Sequence, residues 1–150
     1  MGTISKNFSY KEFEVTDEER LKYVNIIHDS KIRDNIQALV LNILQPLRDI
    51  WGKPLAINSG YRCELVNQAV GGKPTSQHLT GSAADICPFG RNGEGDIEIV
   101  RQLAITAKNA ELPFDQMILY PTFVHFSYNN TTGKQRHMIL YAKKYKGKKI

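Results

Sequence analysis

Cysteine and tryptophan are scarce in this 150-residue chain, which has two of the first, Cys63 and Cys87, and one of the second. Two cysteines cannot build a disulfide framework, so a small cross-linked secreted scaffold is excluded, and two buried thiols are the simplest expectation. No run approaches the roughly 18 consecutive apolar residues of a transmembrane helix, so no membrane insertion is expected. Low-complexity blocks are missing, as are repeats of about 20–50 residues, which excludes solenoids and propellers. The opening MGTISKNFSYKEFE lacks the apolar core of a secretory signal, and synthesis in the cytoplasm is expected.

Hydrophobic residues make up 41% and charged residues 23%, the balance of a globular chain rather than a disordered one. The length suits a single domain over residues 1–150 that buries roughly two thirds of its unfolded surface. Twenty Lys and Arg against 15 Asp and Glu leave a net charge of +5, which favours anionic partners. Five of the last eight residues, from Lys143 to Ile150, are lysines, and they read as a solvated, fraying tail. Specific nucleic-acid binding is not expected, because the basic residues are not interleaved with aromatics and no recognition helix is evident. A monomer is expected.

Periodicity supplies the elements. Ser9 caps a short helix over 10–14 with Phe8 and Phe13 inward. Ile32, Ile36, Leu39, Val40, Ile43, Leu44 and Leu47 form one apolar stripe on a helix over about 30–50, which Pro46 should kink or stop. Residues 55–58 and 83–87 read as buried strands, 63–70 as a weak helix, and Asp96 caps a second amphipathic helix. From Phe114 the period becomes two, predicting strands over 114–120, 123–128 and 135–142 as an antiparallel meander. Helices followed by mainly antiparallel strands make an α+β domain, with helices packed on a small sheet.

Four histidines occur. His28 reads as a surface or helix-end residue and His137 as a strand residue in cross-strand packing. His78 lies in Ser76-Gln77-His78-Leu79-Thr80-Gly81-Ser82-Ala83-Ala84-Asp85, where Gly81 permits the chain to turn a histidine and an aspartate toward one ion. Asp85 stands in an apolar strand, where an ionised carboxylate needs a partner or a metal. Alternation in Phe123-Val124-His125-Phe126-Ser127 puts His125 on one strand face. Two histidines and an aspartate with a fourth position open are the donor set of a catalytic zinc.

The string Ser76-x-His78-x-x-Gly81-x-Ala83-x-Asp85 resembles the signature of the zinc D-Ala-D-Ala carboxypeptidases and murein peptidases of the peptidase M15 family. Segments 57–62 (INSGYR), 113–116 (PFDQ) and 123–127 (FVHFS) are also similar to that family, particularly its phage- and prophage-associated branch. The resemblance implies a D-Ala-D-Ala carboxypeptidase (hedgehog/DD-peptidase-like) fold with zinc held by His78, Asp85 and His125. It further implies Arg62 as the substrate clamp, and Ser76 as a group that bonds substrate or orients the His78 loop. The implied reaction is hydrolysis of peptidoglycan stem peptides, as carboxypeptidase or endopeptidase, with the cell wall as site of action. Many members carry an acid three residues before the second metal histidine, where this chain has Thr122. Asp115, the one carboxylate nearby, is then expected to be the catalytic base, with Tyr120 as an alternative that polarises the intermediate. Without a base, a catalytically inactive zinc-containing wall-binding module is the competing expectation.

Overall fold

The computed structural model describes residues 2–150. Asp29 caps the first helix, α1 (Ser30–Leu39), by accepting a hydrogen bond from the Lys31 N–H at 2.7 Å. The chain then widens into a π-helical turn over Val40–Leu44 and resumes as α2 (Gln45–Trp51). The single helix expected over 30–50 is therefore divided. Pro46 has no N–H to give the Asn42 carbonyl and its ring crowds it, and the wider turn just upstream relieves both constraints. The apolar stripe survives the change, with Ile36, Leu39, Val40, Ile43, Leu44 and Leu47 all fully buried.

The strands are β1 (Ala56–Ser59), β2 (Ala83–Cys87), β3 (Gln116–Leu119), β4 (Val124–Ser127) and β5 (Met138–Tyr141). They form one sheet in the order β1-β2-β4-β3-β5. The first three pairings are antiparallel, but β5 runs parallel to β3 along the sheet edge. The expected meander thus fails at its last step. The loop after β4 crosses back to the start of β3 instead of turning a hairpin, and the His137 N–H bonds the Phe114 carbonyl at 3.2 Å. His137 lies before β5 with φ of +55°, exposed, its ring edge-on to Phe114.

One face of the sheet makes the core. Ala84 and Ile86, Met117 and Leu119, and Val124 and Phe126 point toward the helices, all without solvent exposure. Helix α4 (Ile97–Asn109), capped by Asp96, covers β3 and β4 and leans on α2. A short helix, α3 (Glu64–Ala69), follows β1. The opposite sheet face carries the polar residues Asp85, His125 and Gln116 together with Ile118 and Leu140. The C-terminal segment is packed, not frayed: Tyr145 is 8% exposed, and the Ile150 N–H donates to the Tyr141 hydroxyl at 2.8 Å. Tyr145 and Ile150 give the lysine-rich tail apolar surface to bury.

Candidate metal centre

Asp85 on β2 and His125 on β4 are direct cross-strand partners on the same face, which brings their side chains together without any special loop. His78 arrives from a 3-10 turn over Gln77–Thr80, capped by Ser76, whose hydroxyl accepts the His78 N–H at 3.2 Å. Gly81 ends that turn with φ of +72° and steers the chain into β2. The result is a tight cluster. His125 Nδ1 lies 2.9 Å and His78 Nε2 3.3 Å from Asp85 Oδ1, and all three residues are buried.

The groups behind the imidazoles set their tautomers. His78 Nδ1 is 2.7 Å from the Gly60 carbonyl, which can only accept, so the proton sits on Nδ1 and the Nε2 lone pair faces Asp85. His125 Nε2 is 3.2 Å from Gln77 Oε1, and with its proton placed there the Nδ1 lone pair is left to face inward. With both imidazoles neutral in these tautomers, two lone pairs and a carboxylate oxygen converge, the three ligand atoms all within 4.8 Å of one another. Burial alone would raise the Asp85 carboxyl pKa; without a metal, positive charge on His78 and hydrogen bonds donated by imidazoles protonated toward Asp85 outweigh burial and hold the group well below the usual carboxylate range, a role a bound cation would take over. An ionised carboxylate between two imidazoles fits a divalent cation, and a donor set of two imidazoles and one carboxylate suits zinc.

The cluster forms the floor of a cavity of about 620 Å³. Arg62 stands at one side, its Nε–H on Ser59 Oγ at 3.1 Å and its Nη2 3.8 Å from Asp85 Oδ2. Burial lowers the Arg62 pKa and Asp85 opposes the shift. Buried Asn25 fixes the approach to Arg62, donating to the Glu14 and Tyr61 carbonyls and accepting the Cys63 N–H. Ser76, Lys73, Tyr120 and Arg136 also line the cavity. Burial, and then Asp85, raise the Tyr120 pKa, so its phenol keeps its proton at neutral pH. Cys63 and Cys87 are free thiols, and neither belongs to the cluster.

Asp115 is placed otherwise than expected for a base. It is 2% exposed and absent from the cavity lining, and both its oxygens are taken by Arg136. Those hydrogen bonds hold its carboxyl below the ordinary range despite burial, which makes it a poorer proton acceptor. Thr122 supplies no replacement, and among the described residues Asp85 is the one carboxylate lining the cavity. The residues that spacing could not reveal are Gln77, the Gly60 carbonyl, Asn25 and Arg136. Of these only Gln77 lies within the quoted signature, at a position the signature leaves open.

A family model described as Peptidase M15 matches residues 6–127, which spans every element from the first turn through β4 and includes all three metal-ligand candidates. No curated protein matches the chain. The match covers most of the sequence, and the chain belongs to the peptidase M15 family.

Proposed function

We propose that the chain is a zinc-dependent hydrolase of peptidoglycan stem peptides, cutting beside a D-amino acid as a D-Ala-D-Ala carboxypeptidase or a murein endopeptidase. The observation that carries this reading is the convergence of His78 Nε2, Asp85 Oδ1 and His125 Nδ1 in an open cavity. Zinc bound there would polarise a peptide carbonyl and lower the pKa of water toward about 7. The remaining work falls to the chain. Arg62, Lys73 and Arg136 line the cavity against one carboxylate, so the cleft draws in an anionic peptide. Arg62 presents its guanidinium beside the centre, where it can hold a peptide carboxylate or carbonyl. The protonated Tyr120 phenol can donate a hydrogen bond to an oxyanion as charge develops. Ser76 keeps His78 in register through the His78 N–H.

A second reading is favoured by the acid-poor cavity: a zinc-containing module that binds the wall without cutting it. Incubating the zinc-loaded protein with muropeptides and following products by mass spectrometry separates the two. Shortened stem peptides support the hydrolase. Intact substrate with one zinc per chain supports the binder. The site of action under either reading is the cell wall, and the basic C-terminal segment suits its anionic polymers.

A further inference from the structure

Arg136 is built into the cleft with more care than a surface arginine requires. Its side-on edge is fully used: Nε–H donates to Asp115 Oδ1 at 3.0 Å and Nη2–H to Asp115 Oδ2 at 2.8 Å. Its backbone N–H also donates to Asp115 Oδ1, at 2.9 Å. Residue 137, which follows, is a histidine with φ of +55°, a left-handed conformation that is strained for a non-glycine residue. That turn lets the main chain and the side chain of Arg136 reach the same buried carboxylate. Such a pair is weak evidence for stability, since apolar residues of similar volume often do as well. What the arrangement does achieve is a fixed guanidinium with its end-on edge free. Nη1 has no hydrogen-bond partner among the described residues, and the side chain is 56% exposed.

The free edge is in a useful place. Arg136 lines both the main cavity and an adjoining one of about 240 Å³, which shares the Thr75–Gln77 rim and continues toward Ser82 and Asn129. Strand order places it across the centre from Arg62. Arg62 follows β1 at one sheet edge and Arg136 precedes β5 at the other, with the ligand strands β2 and β4 between them. Ile118 pairs with His125 on one side and with Leu140 on the other, so Arg136 lies two strands across from the centre and, four residues before Leu140, displaced along the sheet toward the start of β5.

We propose that Arg136, held by Asp115, is a second anion-recognition residue of the cleft, which takes a carboxylate on the bound peptide away from the bond addressed at the metal centre. This rests on the peptide-binding reading above and names the substrate feature it selects: an acidic group rather than its amide. A planar guanidinium with two parallel N–H donors left on one edge matches a carboxylate bidentately, whereas a carboxamide offers one acceptor and a clashing amino group.

The test uses two synthetic stem peptides, L-Ala-γ-D-Glu-L-Lys-D-Ala-D-Ala and its D-isoglutamine counterpart, which differ only in carboxylate against carboxamide. Affinities for the full-length zinc-loaded protein are measured by calorimetry, with cleavage followed separately. The wild type should bind the acid about tenfold more tightly than the amide. The ratio should fall to about one in Arg136→Gln and in Asp115→Asn/Arg136→Gln, the second variant leaving no orphaned buried carboxylate. In Arg62→Gln both peptides should weaken together and the ratio persist. A wild-type ratio near one, or a preference that survives both Arg136 variants, overturns the proposal. If the ratios behave as expected but neither peptide is cut, the selectivity stands and the hydrolase reading falls.

Discussion

Each imidazole of the centre is useful only because of the group behind it. Gln77 Oε1 fixes His125 and the Gly60 carbonyl fixes His78, partners 48 and 18 residues away in sequence. Replacing Gln77 by Leu should weaken zinc binding about 10- to 100-fold, read by chelator competition, with unchanged circular dichroism. Replacing Tyr120 by Phe should lower kcat on a stem peptide by roughly 100-fold, the loss typical of one oxyanion donor, and leave zinc affinity alone. An unchanged kcat would remove Tyr120 from the chemistry. At this scale the three converging side chains were readable as candidate ligands, because His78, Asp85 and His125 are unusual residue types in apolar or turn contexts. The supporting groups were not, since a backbone carbonyl has no residue type to read. Asp115 misled for a related reason: it is the nearest acid in sequence, but its partner Arg136 lies 21 residues on and takes both its oxygens.

Among the elements, the turn between His78 and Asp85 shows how closely packing and site geometry are joined. Gly81 holds φ of +72°, and a Cβ there would sit 2.8 Å from Ile36 Cγ1 and 3.0 Å from the Ile32 carbonyl. Gly81→Ala should therefore combine left-handed strain with overpacking against α1, destabilising by about 2 kcal/mol and lowering Tm by roughly 5 °C. The loss should be seen in thermal melts of the metal-free protein, and a neutral substitution would mean that α1 can move aside. Strand β2 was legible residue for residue, and the cap at Asp96 announced α4 through its side chain. The π turn and the parallel β5 were not. Both answer to partners far along the chain: the first lets one apolar stripe stay buried past Pro46, and the second follows from where the post-β4 loop can cross.

For the whole molecule, stability should follow pH through the buried carboxylate pair with Arg136. Asp115 has a folded pKa below its unfolded value, so its contribution is fully present above the usual carboxylate range and is lost as pH falls through the folded value. Metal-free protein should hold a constant Tm near neutrality and lose it on acidification below about pH 4. Asp115→Asn/Arg136→Gln should flatten part of that fall. A metal that binds the folded state alone adds about 2.7 kcal/mol when present at 100 times its Kd, so zinc should raise Tm and a chelator reverse the gain. The most direct measurement of the central claim is zinc stoichiometry by mass spectrometry after dialysis against metal-free buffer, on the wild type and on His78→Ala and His125→Ala. One zinc retained per wild-type chain, and little in either variant, is the predicted result. Wild-type protein that holds no zinc, or variants that hold it as tightly, would contradict the assignment.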